Sequence, residues 1–175
     1  QHVLTGAHCF NGGGESAVIF YGDNQIASAS IAIPRGYEQT TSVSSFDFAV
    51  VTLQQEASDA AILPILASEL TEVGDTINII GYGQDENGNA VYDGTDYAEG
   101  LKKGTMIITE IARSLRAFAS QFNSTNQSIC TGDSGGPAIL VGRNGQAGIV
   151  GVAQAVTDPS MTGEPTCLTD TIAVF

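Results

Sequence analysis

Apolar and polar residues alternate with a period of two along much of the chain, the spacing of a strand with one buried face. Ala27, Ala29, Ile31 and Ile33 share one side and Ser28 and Ser30 the other, until Pro34 stops the run. Similar short runs predict strands over residues 1–5, 17–21, 46–53, 75–80, 104–111, 115–122, 138–141, 147–155 and 171–175. Between them lie turn formers such as Asn11-Gly12-Gly13-Gly14 and Gly22-Asp23-Asn24. Residues 54–72 have mixed character around Pro64 and read as the crossing between two halves, 1–66 and 67–175. Helical periodicity is nearly absent, although residues 114–120 also fit a short helix. The pattern predicts an all-β chain, barrel or sandwich.

Composition narrows the class. With 175 residues, 42% of them apolar, the chain should fold as one sizeable domain or two small ones sharing an interface. Six basic against 19 acidic residues give a net charge of −13, which argues against nucleic acid or an anionic membrane as partner. No apolar run is long enough to span a bilayer. The opening Gln1-His2-Val3-Leu4 reads as the middle of a strand, so the sequence is expected to lack its true start, and the absence of a signal peptide says nothing about secretion. The three cysteines, Cys9, Cys130 and Cys167, form no CxxC pair and lie away from a histidine cluster, which leaves a zinc site little support. No metal or cofactor is expected.

Three stretches carry candidate chemistry. Gly132-Asp133-Ser134-Gly135-Gly136-Pro137 sets a serine among glycines, where main-chain N–H groups can approach a ligand closely; alone, it is equally a string of turn formers. His8 ends an apolar strand and, taken singly, reads more readily as a structural histidine. Asp47 sits inside Phe46-Asp47-Phe48-Ala49-Val50-Val51, where burial without a partner would cost several kcal/mol. It needs a hydrogen-bond donor, unless it is exposed at a strand edge or caps backbone N–H groups. A serine hydroxyl becomes a nucleophile when a base removes its proton, and a histidine oriented by a buried carboxylate is such a base.

Together, Leu4-Thr5-Gly6-Ala7-His8-Cys9, Asp47-Phe48-Ala49-Val50-Val51 and the serine motif resemble the signature blocks of the chymotrypsin-like (trypsin-like) serine proteases, in that family's order. Ile33-Pro34-Arg35-Gly36-Tyr37 and Gly81-Tyr82-Gly83 are lesser matches. The resemblance implies two antiparallel six-stranded Greek-key β-barrels, the first incomplete and the C-terminal helix absent in this chain. It implies His8 as general base and acid, Asp47 as its orienting carboxylate and Ser134 as nucleophile. The N–H groups of Gly132 and Ser134 would bind the oxyanion. Asp133 would be linked to activation by pairing with an amine released by cleavage of a zymogen. That amine cannot be Gln1, so the chain expressed alone is expected to be inactive.

The resemblance also implies a disulfide between Cys130 and Cys167 beside the specificity pocket, two reduced thiols being the alternative, while the partner of Cys9 would lie upstream. Ser128 would form the pocket base, with Gln154, Val156 and Ala173 along its walls; a slip of one residue would put Ala153 in the place of Gln154. Lacking a carboxylate at the base, the pocket should favour small or medium apolar residues before the scissile bond. The expected function is therefore a secreted, monomeric serine endopeptidase acting on proteins or peptides, with protein inhibitors as further partners. A non-catalytic binding protein of the same fold, or an esterase, is the alternative. The acidic loop over residues 84–100 has a weak likeness to a calcium loop but reads better as a solvated surface, and Asn123 and Asn126 fit glycosylation acceptors.

Overall fold

The computed structural model describes residues 1–13, 16–21, 24–38, 43–67, 70–84, 100–122, 127–157 and 172–175. The first half contains β1 (His2–Thr5), β2 (Val18–Tyr21), β3 (Asn24–Ala32) and β4 (Ala49–Leu53), in the antiparallel order β1-β4-β3-β2. Alternation decides which face of β4 is buried: Ala49, Val51 and Leu53 point inward, and Val51 and Leu53 join Ile26 and Ala57 in a small core. The pairing register of β3 with β4 shifts between Ser28 and Ser30. Ahead of that shift the strand pairs with β2, and Ser28 Oγ accepts the Ala17 N–H at 2.8 Å across the change of neighbour. A β-bulge of this kind bends a strand from one partner to another.

The second half contains β5 (Thr76–Gly81), β6 (Lys102–Ile107), β7 (Glu110–Ala112), β8 (Ala117–Gln121), β9 (Pro137–Val141), β10 (Ala147–Val152), β11 (Ala155–Thr157) and β12 (Ile172–Val174). They form two four-stranded antiparallel sheets, β10-β9-β5-β6 and β11-β12-β8-β7. Two strands turn from one sheet into the other. Between β6 and β7, Ile108 N–H bonds Asp75 O on one side and Thr109 N–H bonds Ala119 O on the other. Between β10 and β11, Ala153 N–H bonds Gly136 O and Gln154 N–H bonds Val174 O. Counting each bent pair once closes a six-stranded ring in the order β9, β5, β6/β7, β8, β12, β10/β11. Its fourth strand in sequence returns beside its first, a Greek key. The ring encloses Ile77, Ile79, Met106, Ile108 and Phe118, and the Phe118 and Phe175 rings stack at 5.2 Å. Each such side chain, fully buried, stabilises by roughly 1.5–3 kcal/mol.

The order β1-β4-β3-β2 repeats that of β8, β12, β10/β11 and β9, so the two halves are built to one plan. Between them, residues 64–66 already lie on the second half. Ile65 bridges Ile149, and Leu66 and Ile149 exchange hydrogen bonds with Ile149 O and Pro64 O at 2.9 and 2.8 Å.

Two expected elements are corrected. The strand predicted from residue 46 begins at Ala49, because Phe46 takes a left-handed φ of 61° and its carbonyl accepts the Phe48 N–H in a tight turn. Residues 113–116 form a turn rather than the start of a helix, and the strand follows at Ala117. The acidic loop beyond Gln84, Asn123, Asn126 and Cys167 lie outside the described residues.

Candidate active site

β1 delivers the chain to Gly6 and then to a single 3₁₀ turn, Ala7–Phe10, closed by the Asn11 N–H on His8 O at 3.2 Å. This turn aims His8 at the loop preceding β4. His8 N–H donates to Asp47 Oδ1 at 2.8 Å, and His8 Nδ1 lies 2.8 Å from Asp47 Oδ2. A carboxylate only accepts, so Nδ1 carries the proton and the ring is fixed in orientation. The Asp47 side chain is 3% exposed and the His8 side chain 25%, so the pair spans from interior to surface.

Both groups are held in their charged forms. Burial pushes Asp47 up, but the hydrogen bonds from the His8 ring and from the His8 and Ala7 backbone outweigh it and bring the carboxyl below its ordinary value. His8 is pushed up to about 10, first by its hydrogen bond to Asp47 and next by Cys9, with burial acting the other way. The second ring nitrogen, Nε2, lies 3.8 Å from Cys9 Sγ. Cys9 is a free, exposed thiol held below its ordinary value, chiefly by this hydrogen bond to His8.

The serine loop leaves the second half between Cys130 and β9. Gly132 and Gly135 adopt φ of 96° and 81°, which side chains disfavour. Two bonds tie the loop to one residue: Gly135 N–H donates to Ala153 O and Ala153 N–H to Gly136 O, each at 2.8 Å. The N–H groups of Asp133 and Gly136 close internal turns on Cys130 O and Asp133 O. Those of Gly132 and Ser134 carry no protein hydrogen bond among the described residues. Ser134 is exposed. A Cβ on Gly135 would overlap Thr5 Oγ1 and come within 3.0 Å of Gly6 N, so the serine loop packs directly on the segment that carries His8. Histidine, aspartate and the serine loop therefore meet where the halves meet. No hydrogen bond joins Ser134 to His8 among the described residues.

Asp133 turns the other way. Its Oδ1 accepts the Gly83 N–H and its Oδ2 the Cys130 N–H, both at 2.8 Å. A Cβ on Gly81 or Gly83 would overlap this carboxylate, which explains why Gly81-Tyr82-Gly83 needs both glycines. The carboxylate faces a cavity of about 310 Å³ that Ser128 also lines, and Ser128 Oγ is buried there with no hydrogen-bond partner among the described residues. Gln1 lies elsewhere, tied through its backbone to Leu53 and through its side chain to Ala57.

None of the other expected pocket residues lines the cavity that Ser128 lines. Val156 faces Ala173 across β11 and β12, and Ala173 is wholly buried in the core of the second half. Residues 158–171, which lie between them in sequence, are outside the described residues. Gln154 lines a second cavity, of about 520 Å³, together with Ser44, Phe46 and Asp47. Cys130 is buried beside the serine loop. Among the described residues no three metal-binding side chains cluster.

A family model described as Trypsin matches residues 1–173 of the chain. No curated protein sequence matches it.

Proposed function

Because the chain belongs to the trypsin family, a family of serine proteases, we propose that it is a secreted serine endopeptidase in which His8, Asp47 and Ser134 act together. The observation that carries this reading is the buried His8–Asp47 pair with the serine loop packed against the same segment. Asp47 holds the Nδ1 proton, which leaves Nε2 as the nitrogen for Ser134. With the ring neutral, His8 Nε2 takes the hydroxyl proton as Ser134 Oγ bonds to the peptide carbonyl carbon. The displaced electron pair becomes an oxyanion, and the Gly132 and Ser134 N–H groups, free of protein partners among the described residues, are the donors for it. As the C–N bond breaks, His8 returns the proton to the leaving amine. Water then repeats the cycle on the acyl-enzyme, activated by the same imidazole.

Activation runs through Asp133. Its carboxylate is held by two N–H groups at the edge of a cavity with room for a chain terminus, so an amine delivered there would lock the loop carrying both oxyanion donors. Cys130 pairs with Cys167 in this reading, which suits an oxidising compartment. The residue before the scissile bond is small or medium and apolar, since Ser128 brings no charge to the pocket base.

A peptide library digested by the activated enzyme tests both function and preference. Cleavage after residues such as Ala, Val or Leu is expected. Cleavage mainly after Arg or Lys would refute the pocket assignment, and no cleavage at all would refute the endopeptidase.

A further inference from the structure

The loop before Asp47 is held by a residue of the other half. Ser44 is buried, and both its main-chain polar groups are taken up by one side chain. Gln154 Nε2 donates to Ser44 O at 2.7 Å, and Ser44 N–H donates to Gln154 Oε1 at 3.1 Å. The glutamine amide thus imitates a neighbouring peptide unit, as a strand would, but from 110 residues away. A serine in its place would lack both the reach and a paired donor and acceptor set on opposite sides.

Its position in the chain gives this clamp a consequence. Gln154 follows Ala153, whose own N–H and C=O hold Gly136 and Gly135 of the serine loop. Two adjacent residues therefore grip two loops, Ala153 the one with Ser134 and Gln154 the one with Asp47. Between the clamp and Asp47 only Ser45 and Phe46 intervene. Phe46 sits in its left-handed turn under the Arg116 guanidinium, 4.5 Å from the ring centroid, so the second half holds this loop at a further point.

We propose that Gln154 is a positioning residue that fixes the Asp47 loop relative to the Ser134 loop across the two halves. The proposal rests on the catalytic reading above. It acts through Asp47 and not on substrate: with the clamp removed, the carboxylate loosens its hold on the His8 ring.

Gln154→Met, of similar length without the amide, is the test, with Gln154→Ser as second variant should the first fail to fold. Two readouts are taken: the His8 titration followed by NMR, and the kcat and KM of the activated enzyme on a small ester. The His8 pKa is expected to fall by about one unit, a tenfold loss of the carboxylate's hold. We expect kcat to fall about tenfold with KM unchanged, since misplacement of a catalytic group costs rate more than binding. An unchanged titration in a folded variant overturns the proposal, as does a loss confined to KM. The titration needs no turnover, so an inactive parent with a shifted His8 in the variant would sink the enzyme reading and leave the clamp standing.

Discussion

Ser134→Ala is expected to lower kcat of the activated enzyme by about a millionfold while KM changes little. The hydroxyl is the atom that bonds to the substrate, and no neighbouring group among the described residues replaces it. Cys9 Sγ, the other nucleophile near His8, belongs to the histidine turn, whereas the free Gly132 and Ser134 N–H groups belong to the serine loop. Residual hydrolysis should come from binding and the donors alone, which the substitution leaves in place. Steady-state kinetics on a peptide ester, with folding checked by melting, gives the answer. Loss through a raised KM at constant kcat would mean that Ser134 binds substrate and does not attack it.

Asp47→Asn is expected to cost about 10⁴-fold in kcat, because an amide can offer the ring a donor where Nδ1–H needs an acceptor and so favours the wrong tautomer. The same change reports on pH. His8 is held at about 10 against an ordinary 6.5, with Asp47 as the largest cause, so the folded protein keeps its imidazolium where the unfolded chain has lost it. Its contribution to stability is then complete below 6.5 and lost as pH rises through about 10. Asp47 behaves oppositely: its folded value lies below the ordinary 3.8, so its contribution is complete above 3.8 and lost as pH falls through the lowered value. The pair stabilises fully between these limits and progressively less toward alkaline pH. Asp47→Asn should remove that slope and bring the His8 titration back toward 6.5. As base, His8 must be neutral, so hydrolysis should rise with pH as the ring loses its proton, and the substitution should move this rise to lower pH. A His8 titration unaffected by Asp47→Asn would break the link between the pair and the chemistry.

How much of this was written in the sequence depends on the kind of contact. Alternation marked β4 and β5 because Val51, Ile77 and Ile79 are buried at every second position. The bends that close the second half were invisible, and residues 104–111 and 147–155 each read as one strand. That is physically sound, because each is a single strand that changes neighbours at Ile108 or Ala153. The burial of Asp47 was legible from its apolar flanks. The left-handed turn at Phe46 was not, since nothing in an apolar aromatic signals a positive φ. The need of Asp47 for a donor led to His8, because a lone buried charge is costly in any fold. The Gln154 clamp escaped, because a side chain that binds another segment's backbone leaves no mark on spacing or residue type at Ser44. Sequence placed Gln154 only along the walls of the specificity pocket.

In this reading His8 and Asp47 make Ser134 a nucleophile. Mass analysis of the activated enzyme after reaction with a fluorophosphonate tests it most directly. One adduct is expected, on Ser134, slowed by His8→Ala and by Asp47→Asn. An adduct elsewhere, no adduct at all, or labelling of Ser134 at the parent's rate in both variants would show that the pair does not activate it.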